Sequence, residues 1–404
     1  MITVAQNQSV GTRVAATRRL AGWTQQKLAQ QAHVSASLIS QVERGVAPPS
    51  PAFISACAQA LGVGYTDLTE TPSPMASRSE HRVHAGIPAI RRELATYRIA
   101  PEDIPMRPYL DLVADVAKAS QLRHGVQLSE LGEFLPALLH DLRVGWNSTT
   151  GPDQERIFGL LAETYSATGQ LVYKLGYADL ASLAVDRYEW AAAQSGDELA
   201  VLAGDYQRAG EMICAADWLT AEQVLTSGRR QIEDQLSEGD PKTLSMWGNL
   251  HLKSGLAAAR SGRLDLADDH LAEAAETAER IGEDRDDYRL CFGPTNVSVW
   301  SVGLAVEAMD GTEAVKRAEK VTLPAGTPRE RMGHHYIDLA RGFLLHGDRE
   351  GAFSALQVAK RIAPTQTRYH PMVHETIRML ARQETRASET VRGFAAWCGI
   401  NSID

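Results

Sequence analysis

Ala36, Ser37, Ser40, Gln41 and Arg44 fall on one side of a helical pattern whose other side is Leu38, Ile39 and Val42. A narrow face of small, polar and basic groups suits the edges of DNA bases. A glutamine amide offers adenine a donor and an acceptor together, and an alanine offers only contact to a thymine methyl. Arg44 is either a phosphate contact or a solvated arginine. Elsewhere the chain is poor in reactive constellations. His370 and His374 are four apart and would share a helix face, but Pro371 between them places His370 ahead of that helix, and no third ligand lies nearby. Cys57, Cys214, Cys291 and Cys398 are scattered, with neither metal-ligand spacing nor a disulfide framework. There is no nucleophile elbow, phosphate-binding glycine loop or zinc-protease motif, so neither an enzyme, a cofactor nor a metal is expected.

Two short helices must position the polar face. Thr24 is suited to cap a helix over 25–32, since its hydroxyl can accept from an open amide of the first turn. His33 and Val34 make the turn, and Ser35 caps a second helix over 36–44. A helix over 10–21 precedes the pair, with Val14 and Leu20 expected to pack on it. After Gly45 the run Val46-Ala47-Pro48-Pro49 breaks the chain. Ser50 and Pro51 then start a helix that Gly62 ends, and a short helix near 65–68 closes a five-helix unit.

Residues 10–68 closely resemble the helix-turn-helix of the phage-repressor and xenobiotic-response-element class. The likeness rests on Thr24-Gln25-Gln26, Leu28-Ala29, Val34-Ser35, the run Ile39 to Gly45, Pro49-Ser50-Pro51 and Leu61-Gly62-Val63. It implies that Ala36 and Gln41, with Ser37 beside them, face base edges. It also implies that Gln25 contacts a phosphate at a helix N-terminus, and that Arg18 and Glu43 form a partly buried salt bridge behind the recognition helix. Ala36 leaves direct readout thin. Relatives often carry basic residues in the loop after Gly45, and this loop has none.

The chain has 404 residues and a net charge of −9, with 44% hydrophobic and 23% charged residues. Alanine and leucine are abundant and β-branched runs few, which favours helix. Residues 1–70 hold five cations against three anions, a balance of +2, which leaves −11 for the rest. So modest a charge predicts weak DNA binding by one copy and affinity from a dimer on two half-sites, with the acidic remainder held away from phosphate. Neither a signal peptide nor a membrane-spanning stretch is read, and the cysteines fit buried thiols in a reducing cytoplasm.

Residues 71–79 are rich in Pro, Ser and Thr and read as a linker between a domain at 1–70 and another at 80–404. From residue 80 onward, amphipathic helices are expected at 80–98, 106–122, 126–144, 152–174, 177–194, 197–214, 217–236, 241–261, 263–281, 294–309, 311–320, 328–346, 348–362, 372–384 and 387–399. A repeat runs through them. Gly255 with Ala267, Leu271 and Ala274 follows the small-residue spacing of a tetratricopeptide hairpin. So does Gly169 with Ala181, Val185 and Tyr188, and Ala340 with Ala352, Leu356 and Ala359. Anchors at Ala181, Ala221, Ala267, Ala314 and Ala352 recur every 38 to 47 residues.

Such a solenoid presents its first helices on a concave surface. The repeat register puts Asn249, Asn296 and His334 at equivalent groove-facing positions, with Tyr206 a turn later and Tyr173 and Arg260 farther on. Asparagine amides can clamp an extended peptide backbone, or they can cap helices. The segments Phe292 to Val297, Tyr336 to Arg341 and Arg361 to Pro364 resemble actinobacterial regulators that join this helix-turn-helix to tetratricopeptide repeats.

The expected fold is therefore all-α, a five-helix lambda-repressor-like head followed by an α-solenoid of helix hairpins. The expected function is a cytoplasmic transcription regulator that binds a double-stranded operator as a homodimer and senses a peptide, a small molecule or a protein partner. The alternative is a repeat scaffold governed by a protein partner, with no small ligand. A further alternative is an enzyme or enzyme modulator with a vestigial DNA head.

Overall fold

The computed structural model describes residues 8–69, 82–101, 104–383 and 389–400, so the linker read at 71–79 lies outside the described residues. Five helices form the head: α1 (Val10–Leu20), α2 (Gln25–Gln31), α3 (Ala36–Glu43), α4 (Pro51–Leu61) and α5 (Tyr65–Leu68). The capping residues decide their starts. Thr24 accepts from the Lys27 amide, Ser35 from the Leu38 amide and Ser50 from the Phe53 amide. Gly62 ends α4 in the left-handed region at φ 68°, which an L side chain resists. Val14, Leu28, Ile39, Phe53, Ile54, Cys57 and Leu68 build the head core.

Leu20 departs from expectation. It is 89% exposed, whereas Val14 is fully buried. At 100° per residue Leu20 lies about 240° around α1 from Val14, outside the buried arc of Val10, Val14 and Arg18.

The rest of the chain is a succession of packed helices. They are α6 (Ile87–Ala95), α7 (Tyr109–His124), α8 (Leu128–Ser148), α9 (Pro152–Lys174), α10 (Ala178–Ala192), α11 (Glu198–Cys214), α12 (Trp218–Ile232) and α13 (Pro241–Arg260). There follow α14 (Leu264–Ile281), α15 (Pro294–Glu307), α16 (Gly311–Ala318), α17 (Arg329–His346), α18 (Arg349–Ile362), α19 (Pro364–Tyr369), α20 (Pro371–Gln383) and α21 (Glu389–Trp397). The pairs α9–α10, α13–α14 and α17–α18 pack as hairpins. Small residues set their spacing: a Cβ on Gly169 would lie 3.3 Å from the Ala184 Cβ, and one on Gly255 would lie 3.4 Å from the Ala267 carbonyl. Among the described residues no strand forms. The backbone makes one isolated bridge, between Arg285 and Phe292.

The array curls back on itself, so that α17 touches α7. Glu330 of α17 accepts from Lys174 at 2.7 Å and from Arg123 at 3.3 Å, and its side chain is 1% exposed. Burial alone would raise that carboxyl. Lys174, Arg123 and Arg331 hold it well below the ordinary range instead.

Candidate nucleic-acid interface

The head is locked from behind. Arg18 grips Glu43 through two contacts, Nε to Oε1 at 2.6 Å and Nη2 to Oε2 at 2.8 Å, and donates Nη1 to the Trp23 carbonyl at 2.7 Å. Burial would raise the Glu43 carboxyl, but hydrogen bonds from Arg18 and Gln25 hold it below its ordinary value. This fastens the C-terminal end of α3 to α1. Gly11 lets the helices meet, since a Cβ there would fall 2.0 Å from the Val42 carbonyl oxygen.

With that back face fixed, α3 turns its polar residues outward. Ser37 and Arg44 are exposed, and Ala36, Ser40 and Gln41 are half-buried. Gln41 Nε2 donates to Ser37 Oγ at 3.3 Å, and Arg44 Nε donates to the Ser40 carbonyl at 3.2 Å. The face is thus pre-ordered along its length. Gln25 is half-buried and donates Nε2 to Glu43 Oε2 at 2.7 Å, so part of its amide is used inside the head.

The head is docked on the helical region by a different face. The Val10 amide donates to Glu375 Oε1 at 3.3 Å, and Met372 joins the head core. Pro48, Pro49 and Ser50 face Leu344, Leu345 and Met372 across a narrow crevice. Tyr65 of α5 points among Arg260, Cys214, Glu307 and Arg341, and burial pushes its phenol above the ordinary value.

Among the residues read as groove-facing, Tyr206 and His334 both lie near Arg331. Tyr173 is 58% exposed. Tyr206 carries Lys253 Nζ 4.0 Å from its ring centroid. Arg260 is committed to Glu307, Nε to Oε2 at 2.8 Å, and Arg341 shares that carboxylate. Asn249 is buried at 1% exposure with its Oδ1 unpaired. Asn296 donates Nδ2 to the Cys291 carbonyl at 2.6 Å, holding the chain just before its own helix. His334 lies with its ring centroid 5.9 Å from that of His370. Tyr173 and Arg260 do share a neighbourhood, around Cys214 and Tyr65.

One segment escaped the sequence reading. Residues 282–293 run as a strap past the end of α7, the side of α9 and the start of α11. Asp286 meets His124 Nε2 at 2.9 Å, Tyr288 donates its hydroxyl to Asp197 Oδ2 at 2.9 Å, and Arg289 Nε reaches Glu163 at 3.0 Å. Tyr288, Arg289 and Cys291 take positive φ of 51°, 60° and 43°. Phe292 anchors the strap against Gly248, where a Cβ would fall 1.9 Å from the ring. The signal was the acidic run before Phe292-Gly293-Pro294, which shows a loop but not its destination. The strap also brings Asp286 and Cys291 to His124, with candidate ligand atoms within 4.8 Å of one another. Arg123 Nη2 sits 2.7 Å from His124 Nε2, on the same nitrogen that Asp286 uses. A cleft of about 440 Å³ beside the strap is lined by Glu155, Glu163, Tyr188, Asp197 and Tyr288. His370 accepts from the Met372 amide through Nδ1 at 3.2 Å, and His374 Nε2 lies 2.6 Å from the Arg368 carbonyl.

Among the described residues no helix is long and apolar enough to cross a membrane. No curated protein matches the chain. Among solved structures, the crystal structure of ComR from Streptococcus suis is similar at 13% identity, covering 89% of this chain and 96% of that one. Its TM-score is 0.24. Residues 9–71 match the family model of a helix-turn-helix domain. That match coincides with the capped pair α2–α3 and the Arg18–Glu43 lock behind it. Residues 9–71 are therefore a helix-turn-helix domain.

Proposed function

We propose that the chain is a sequence-specific transcription regulator that places α3 in the major groove of an operator. The observation that carries this is the outward face of α3. Ser37 and Arg44 are exposed, Gln41 is tethered to Ser37 and Arg44 to the Ser40 carbonyl, while the head docks elsewhere. Gln41 supplies paired hydrogen bonds to an adenine, Ala36 contacts a thymine methyl, and Ser37 and Ser40 reach neighbouring edges. Arg44 and the second amide N–H of Gln25 bind phosphate. The chain acts in the cytoplasm as a homodimer whose two heads address half-sites about one helical turn apart.

In the same reading residues 1–70 and 80–404 are two domains joined by 71–79. The second is a tetratricopeptide-like solenoid that dimerises and senses a peptide, a small molecule or a protein, with Tyr173, Tyr206, Asn249, Arg260, Asn296 and His334 as its ligand face. Because α20 holds the head through Met372 and Glu375, a change in solenoid curvature carries the head with it and alters the spacing of the two heads. Small-angle scattering of the full chain tests this coupling. Head spacing must change when a ligand that alters operator affinity is added, and an unchanged spacing contradicts it. Operator capture tests the DNA reading itself, with Gln41→Ala as the informative variant.

A further inference from the structure

A helix that inserts its first turn into the major groove carries its last turn, and the loop after it, over the phosphate backbone. In this head that end is Arg44, Gly45 and the loop 46–50. The loop contains no Lys or Arg. Its one nearby head cation is Arg44, at the C-cap of α3.

The helical region places another there. Arg382, on the last turn of α20, lies directly on Gly45. A Cβ on Gly45 would fall 2.0 Å from Arg382 Nη1 and 2.8 Å from its guanidinium carbon. Arg382 is exposed. Its placement follows from the docking. Met372, Glu375, Met379 and Arg382 succeed one another at three- and four-residue steps, so they form one stripe of α20. Met372 enters the head core and Glu375 holds the Val10 amide. Met379 is 2% exposed. The stripe then ends in a guanidinium beside the C-terminus of the recognition helix. Gly45 has φ +68° and no side chain, so the approach has no obstruction.

We propose that Arg382 is a DNA-phosphate contact, so that the DNA-binding surface is built from both parts of the chain and is complete only with the head docked. This rests on the proposed placement of α3 in the major groove. A guanidinium in this position contacts the backbone and carries no sequence information. It adds a cation to a head whose own balance is only +2, and it couples DNA affinity to the position of α20.

The test uses the full chain and two duplexes. One is the fragment that the wild-type protein recovers most often from sheared genomic DNA, and the other is a scrambled duplex of equal composition. Binding is followed by fluorescence anisotropy across a salt series. Arg382→Ala is expected to weaken binding to both duplexes about three- to tenfold and to flatten the slope of log affinity against log salt by about one per head. Arg382→Lys restores the slope, and Arg230→Ala, at an exposed position of α12, leaves it unchanged. A purely structural role lowers affinity without changing the slope. An unchanged slope in Arg382→Ala therefore overturns the assignment, whatever happens to affinity. Failure of the wild-type chain to bind any duplex overturns the DNA reading on which it rests.

Discussion

The Glu375 carboxylate accepts a hydrogen bond from the backbone amide of Val10 at 3.3 Å, joining positions 365 residues apart. Glu375 is 6% exposed and also accepts from Arg378 at 2.9 Å, so the carboxylate is itself held in place. The first open amide of α1 is thereby satisfied by the helical region rather than by solvent. The head is docked, not free on its tether. Met372→Lys places a charge in the head core and is expected to undock the head while leaving the head helices formed. Hydrogen exchange at α1 measures this. Faster exchange at Val10 with unchanged exchange in α13 is expected, and unchanged exchange at Val10 contradicts the docking.

The Arg18–Glu43 lock is expected to be costly to break from one side. Its side chains are 9% and 5% exposed. Arg18→Ala leaves a buried carboxylate with little compensation and is expected to cost about 3 kcal/mol. The double substitution Arg18→Met with Glu43→Leu is expected to cost less, because neither charge is left alone. The sign with pH follows from the carboxyl. Glu43 sits below its ordinary value of 4.5 in the folded head. Its contribution is therefore present above 4.5 and is lost as the pH falls through the lower, folded value. Thermal unfolding of the head at pH 7 and pH 3 checks both statements.

His251 and His270 face each other across α13 and α14, Nδ1 to Nδ1 at 3.0 Å. Burial, then the nearby Arg229, lowers His251 to about 3 and His270 to about 4. Both are neutral in the folded chain at pH 7 but take up protons near 6.5 when unfolded. Stability is therefore expected to fall as the pH drops below 6.5 toward the folded values, by up to about 1.4 kcal/mol per group per pH unit. Denaturant titrations between pH 7 and pH 5 measure the loss. His251→Phe with His270→Leu is expected to make it shallower without abolishing it, because burial also holds His334, His335 and His370 low, and an equally steep profile in that variant contradicts the assignment.

Glu330 holds the curled array closed, with Lys174 and Arg123 on it and only 1% of its side chain exposed. Glu330→Gln keeps the shape and removes the charge. It leaves two buried cations unneutralised, and is expected to cost about 3 kcal/mol or more. Denaturant unfolding measures the cost, and hydrogen exchange in α7 and α17 locates it.

What the sequence disclosed was local. Thr24, Ser35, Ser50-Pro51 and Gly62 carry their turn chemistry in their own side chains and backbone, and the helices begin and end on them. The long amphipathic helices were legible from periodicity. The short helix α19 was not, because Pro364 starts it and His370-Pro371 ends it after only six residues. Leu20 was misplaced because apolar character was weighed without its angle around α1. The docking of Met372 and Glu375, the course of the strap over His124 and Asp197, and the position of Arg382 on Gly45 join distant parts of the chain. No local pattern encodes such pairings, and a surface methionine or arginine looks the same whether or not a second unit covers it.

On the proposed reading, α3 enters the major groove and reads base edges. The direct measurement is capture of sheared genomic fragments by the purified full chain, run in parallel with Gln41→Ala. The expected result is a short, two-fold-symmetric sequence enriched by the wild-type chain and enriched at least tenfold less by Gln41→Ala. Absence of any enriched sequence, or equal enrichment by both proteins, would contradict it.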